Sequence, residues 1–78
     1  MIKIKTSFFG PIRRPWPEQS RDLEIEDGLD VGGLMTSLGY SPEDSKRVAV
    51  VINGNRSLPA TRLKAGDDVR FVLLAGGG

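Results

Sequence analysis

The chain has 78 residues, with 11 Lys+Arg against 10 Asp+Glu for a net charge of +1, and it contains neither cysteine nor histidine. Its size limits it to one small domain with a thin core, and its near-neutral charge argues against nucleic acid as the main partner. The missing side chains exclude a thiol nucleophile, a persulfide relay, a disulfide and a thiolate metal site, and they remove the commonest general base near neutral pH. A self-contained enzyme is therefore not expected, and neither is a bound metal.

Ile2, Ile4, Thr6 and Phe8 alternate with Lys3, Lys5, Ser7 and Phe9, which predicts an opening strand with one apolar face. Gly10-Pro11 ends it. The stretch Pro11–Arg21 carries Pro11, Pro15 and Pro17, disfavours helix, and is expected to be a loop of about a dozen residues, long enough to suspect a role. Within it, Trp16 is expected to cap one end of the core, and Arg13, Arg14 and Arg21 to be plain solvated charges. Asp22–Glu26 alternates cleanly, with Leu23 and Ile25 inward, and predicts a second strand antiparallel to the first.

Asp30 is a good N-cap for a helix whose apolar stripe is Val31, Leu34, Met35 and Leu38, with Gly39 as its C′ stop and Tyr40 folding back on the stripe. Gly32 and Gly33 each cost about 1 kcal/mol relative to alanine, so packing must hold this helix. Ser41-Pro42 opens a second, short helix. Val48–Ile52 is a β-branched run that reads as an interior strand buried on both faces, and Asn53-Gly54 is a hairpin turn. A short strand or irregular crossover is expected over Asn55–Lys64. Ala65-Gly66-Asp67-Asp68 then turns into the last strand, Val69–Leu74, where Val69, Phe71 and Leu73 alternate with Arg70, Val72 and Leu74.

These elements assemble most simply as an α+β fold with the first and last strands paired in the centre of a mixed sheet of four to five strands. One main helix lies across one face, the ubiquitin-like β-grasp arrangement. Residues 1–74 form that domain, and 75–78 form a flexible glycine tail that reaches roughly 15 Å when extended. No run approaches the roughly 18 apolar residues of a membrane span, and the alternating start is unlike a signal peptide, so a cytoplasmic protein without membrane contact is expected.

The opening strand ending Phe8-Phe9-Gly10, the helix entry Asp30–Leu34, the run Val50–Gly54, the stretch Leu63–Phe71 and the tail Ala75-Gly76-Gly77 together resemble the MoaD/ThiS family of sulfur carriers, closer to its MoaD-like members. The resemblance implies that an E1-like, MoeB/ThiF-type enzyme adenylylates the terminal glycine with its own Mg and ATP. Sulfur then replaces AMP, and the thiocarboxylate feeds a biosynthetic enzyme, molybdopterin or tungstopterin synthesis with a MoaE-like acceptor being the expected case. The reacting residue is Gly78, or Gly77 if a trailing residue is removed, with Ala75, Gly76 and Gly77 as the threading tail. Such a carrier has no catalytic residues and binds no cofactor of its own. Phe9, Val72 and Leu74 are expected either to form an exposed apolar patch where the activating enzyme docks or to be covered by a crossover. Two other functions remain open, a ubiquitin-like modifier conjugated to lysines and a β-grasp interaction subunit with an inert tail.

Overall fold

The computed structural model describes residues 1–10 and 12–73. Within them the order is β1 (Ile2–Phe9), β2 (Ser20–Ile25), α1 (Val31–Ser37), α2 (Pro42–Arg47), β3 (Val48–Ile52), β4 (Asn55–Arg56) and β5 (Asp68–Leu73). The strands form a mixed sheet in the order β2-β1-β5-β3-β4. β1 and β5 are central and parallel, in register from Lys5↔Asp68 to Phe9↔Val72, and β3 is antiparallel to β5 from Val48↔Leu73 to Ile52↔Val69. This is the expected β-grasp.

The period-2 pattern of each strand sends one set of side chains to a single core. Phe71 and Val69 are completely buried there, and Phe71 lies flat on Phe8 of the neighbouring strand, ring centroids 4.7 Å apart. Ile4 of β1, Ile25 of β2, Val50 of β3 and Val31, Leu34 and Met35 of α1 belong to the same cluster. Each such side chain contributes about 1.5–3 kcal/mol by leaving water. Phe9, one residue from Phe8, points to the opposite face and stays 37% exposed.

The helix boundaries follow their capping residues. Gly33 N donates to Asp30 Oδ1 at 2.7 Å, and at the other end Gly39 N donates to Thr36 O and Tyr40 N to Met35 O, a complete Schellman stop with Gly39 at φ +89. The two helical glycines answer to close neighbours. A Cβ on Gly33 would lie 2.6 Å from Leu29 Cδ1, and one on Gly32 would lie 3.4 Å from Pro59 O, the carbonyl that accepts from Gly32 N. α2 carries the reciprocal capping box of Ser41 and Asp44.

Asn53 and Gly54, both at positive φ, form the expected two-residue hairpin between β3 and β4. The Asn53 side chain also fastens the entry to β5. Its Nδ2 donates to Asp67 Oδ1 and its Oδ1 accepts from Asp68 N, both at 2.9 Å, while Lys64 N donates to Asp67 Oδ2 at 2.8 Å. The acidic pair therefore serves a turn.

Three expectations change. β2 begins at Ser20 rather than Asp22, because Ser20 Oγ and Ser7 Oγ hydrogen-bond at 2.9 Å and Thr6 Oγ1 donates to Arg21 O at 2.7 Å, extending the pairing and shortening the loop. Arg21 is not simply solvated: its guanidinium lies 4.8 Å from the Trp16 ring centroid, and Trp16 in turn meets Phe8 edge-on, so the arginine lids the end of the core that Trp16 caps. Arg21 also bonds Glu18 at 3.1 Å, which, after a backbone hydrogen bond, helps hold that carboxyl below its ordinary value. Finally, the last strand runs Asp68–Leu73, and Leu74, at the expected edge of the domain, lies outside the described residues.

Phe8→Ala should cost about 3–5 kcal/mol in urea unfolding, whereas Phe9→Ala should cost less than about 1 kcal/mol; comparable losses would contradict this assignment of faces. Tyr40 gives a pH-dependent counterpart. It is buried with its hydroxyl donating to Arg13 O, and that burial, partly opposed by the Arg13 guanidinium, raises its pKa above the ordinary 10.0. The folded state thus holds the proton more tightly, so the associated stability is complete below pH 10.0 and is lost as pH rises toward the folded-state value. Urea midpoints followed from about pH 8 to about pH 11 should fall more steeply above pH 10.0 in the wild type than in Tyr40→Phe. Parallel declines would remove Tyr40 as the cause.

Candidate functional site

The sheet has a second face, and the main helix of the described residues does not lie on it: the apolar stripe of α1 is committed to the core cluster on the other side. On this outer face the register aligns Phe9 with Val72 and Val72 with Ala49, one from each of β1, β5 and β3, in a single row across the sheet. One same-face step along the strands is the row Ser7, Arg70, Val51 and Arg56, in which Val51 pairs with Arg70 on one side and Arg56 on the other. Beyond it the rows are charged and mixed: Lys5 is flanked by Asp22 and Asp68, and Lys3 faces Glu24.

Exposure follows from side-chain size and neighbours. Phe9 is exposed, Val72 and Val51 are half-buried, and the small Ala49 is buried. Arg70 Nη2 lies 3.3 Å from Asp68 Oδ2, an exposed pair that steadies the guanidinium without removing it from solvent. Arg56 has no ion-pair partner among the described residues.

Of the residues expected at the site, the fold therefore brings Phe9 and Val72 together and leaves them uncovered by any crossover in the described chain. Leu74, Ala75, Gly76, Gly77 and Gly78 lie outside the described residues. Ala49 and Val51 were not expected. Their signal was the apolar run Val48–Ile52, whose second face is part of this surface rather than buried under another layer. Interior placement was right in the plane of the sheet, since β3 has β5 and β4 as neighbours.

Chemically the face offers an apolar row bordered by arginines, a surface suited to binding. No group of three or more acidic side chains is placed to hold a metal among the described residues. A cleft of about 370 Å³ beside Leu73, where β5 ends, is lined by Ile12, Arg13, Tyr40, Asp44 and Arg47, and one of about 330 Å³ lies against Val31, Met35 and Leu58 on the helix side. Arg13 in the first cleft is engaged structurally, donating to Gly39 O at 3.1 Å. No helix among the described residues is long and apolar enough to cross a membrane.

Comparison with solved structures finds the same architecture. The Haloferax volcanii HVO 2177 protein superposes with a TM-score of 0.79 at 24% identity, covering 99% of this chain and 87% of that one. SAMP1 from Haloferax volcanii gives 0.72 at 17% identity over 97% and 99% of the two chains. A chain from the complex of subunits 1 and 2 of the molybdopterin-converting factor of Helicobacter pylori 26695 gives 0.66 at 23%, over 99% and 100%. At these identities the structures establish a shared fold. A search of curated proteins finds no match. The ThiS family model matches residues 7–78, from the second half of β1 through the final glycines. With a ubiquitin-like β-grasp fold and a family match over nearly its whole length, the chain belongs to the ThiS family.

Proposed function

We propose that the chain is a sulfur carrier whose reactive group is the carboxylate of Gly78, loaded by an E1-like MoeB/ThiF-type adenylyltransferase that docks on the outer face around Phe9 and Val72. The observation that carries this reading is the family match itself, which runs through the glycine run to residue 78. A carboxylate there, with an ordinary pKa near about 3.5, is ionised at neutral pH. Its oxygen attacks the α-phosphorus of Mg-ATP held by the partner; the new O–P bond forms as pyrophosphate leaves. Hydrosulfide supplied by the partner then attacks the carbonyl carbon, the C–O bond breaks as AMP leaves with the electron pair, and loss of the sulfur's proton gives the thiocarboxylate.

Glycine leaves that carbonyl unhindered, and Gly76 and Gly77 suit a channel too narrow for a Cβ. With no cysteine in the chain, the sulfur in this reading is carried at its end, and the ATP site, the metal and any thiol relay belong to the partner. The chain is thus a carrier and not a catalyst. The fold shared with a subunit of the Helicobacter pylori molybdopterin-converting factor supports a MoaE-like acceptor and a pterin-type sulfur product.

The shared fold with the small archaeal modifier protein 1 of Haloferax volcanii favours a second reading, in which the same acyl-adenylate ends as an amide on a partner lysine. Mass spectrometry of protein from its native cell separates the two. The carrier gains the mass of one oxygen replaced by sulfur; the modifier leaves a glycine remnant on lysine. With the cognate adenylyltransferase and Mg-ATP, a chain lacking Gly77 and Gly78 should unfold at the same urea concentration as the full chain yet form no adenylate. Undiminished adenylylation of the shortened chain would end the proposal for Gly78 and Gly77 alike.

A further inference from the structure

The charges of the outer face are not spread evenly. Toward the start of β1 they alternate in sign across the strands, Glu24 with Lys3 and Asp22 with Lys5 and Asp68, so that end of the sheet is locally balanced. In the row beside Phe9, Val72 and Ala49 both charged residues are cations, Arg70 and Arg56, paired on either side of Val51, with Arg56 at the sheet edge where it also lines the helix-side cleft. Two strand spacings put their backbones about 10 Å apart, and one same-face step of about 7 Å separates them from the apolar row. Arg70 is partly offset by Asp68 at 3.3 Å, while Arg56 is in no ion pair among the described residues.

We infer that Arg56, with Arg70 as a weaker second, selects a protein partner whose apolar contact patch is bordered by carboxylates, and that this charge match governs how fast the partner is captured. The inference rests on the docking face proposed above and adds the chemistry of what docks there. An acidic protein surface fits better than the other polyanions. Two arginines about 10 Å apart fall short of the 4–8 basic residues that recruit an anionic membrane. A net charge of +1 likewise gives no field for a nucleic acid, and neither explains an adjoining apolar row. Cations bordering an apolar contact act mainly on the association rate and its salt dependence, because they attract before the apolar surfaces touch and are screened beyond a Debye length of about 10 Å at 0.1 M salt.

The test measures the association rate constant of the full chain with its cognate adenylyltransferase over a range of salt, with pyrophosphate exchange as an independent readout of adenylylation. Arg56→Glu/Arg70→Glu should slow association about tenfold at low salt and flatten or reverse the decline with salt seen in the wild type. Arg56→Gln, a milder change, should move the slope in the same direction. Arg62→Glu, a charge reversal at an exposed position bridged to Asp30, the N-cap of α1, should keep the wild-type slope, and urea unfolding should show every variant folded. An adenylylated wild type whose salt slope is shared by the double variant would overturn this inference and leave the carrier reading standing. A slope changed equally by Arg62→Glu would also overturn it, since net charge would then be the cause. A wild type that supports no pyrophosphate exchange would instead overturn the carrier reading and this inference with it.

Discussion

The stack of Phe71 on Phe8 is the contact on which the rest of the molecule depends. Phe71 belongs to β5, which is hydrogen-bonded on both edges, to β1 in parallel and to β3 in antiparallel register, so the strand that leads into the glycine run is held by two ladders. Withdrawing β5 would open both of its ladders and expose the centre of the core together. Force or binding energy applied at Leu73 would be resisted by two ladders rather than by one edge.

A domain this small has little redundancy, and its remaining contacts close the ends of one core. At one end Trp16, lidded by Arg21, covers Phe8, and the buried Tyr40 ties the intervening loop to the helix stop. At the other, Asn53 joins the hairpin turn to Asp67 and Asp68 through three hydrogen bonds, one of them from its own backbone N–H to Asp68 O. Polar side chains do this work because the segments they join are turns, whose backbone groups have no ladder partners and need side-chain ones.

Much of this was legible from the chain alone wherever a single local rule governed. Alternation fixed the inward residues of β1 and β5, the spacing Val31, Leu34, Met35, Leu38 fixed the helix, and Asn53-Gly54 fixed the hairpin. What escaped were features set by contacts distant in sequence. The two glycines of α1 look like a defect until Leu29 and Pro59 are seen against them. Arg21 looks solvated until Trp16 lies beneath it. Ser20 and Arg21 look like loop until Ser7 and Thr6 pair with them. The candidate face was half visible. Phe9 and Val72 stood out as apolar residues on the wrong side of their strands, but Ala49 and Val51 were hidden in a run with no polar residue to mark which face was outward.

The parallel pairing of β1 with β5 explains why the candidate face is where it is. Parallel neighbours end at the same edge of a sheet, so Phe9, the last residue of β1, is brought level with Val72, the penultimate residue of β5. The antiparallel β3 begins at that edge and adds Ala49 to the row. The apolar row therefore lies at the edge of the sheet where β5 ends, and a partner gripping it would sit beside Leu73. Because side chains alternate between faces, that row and the arginines beside it share no side chain with the core, and recognition can change without disturbing the strand that anchors it.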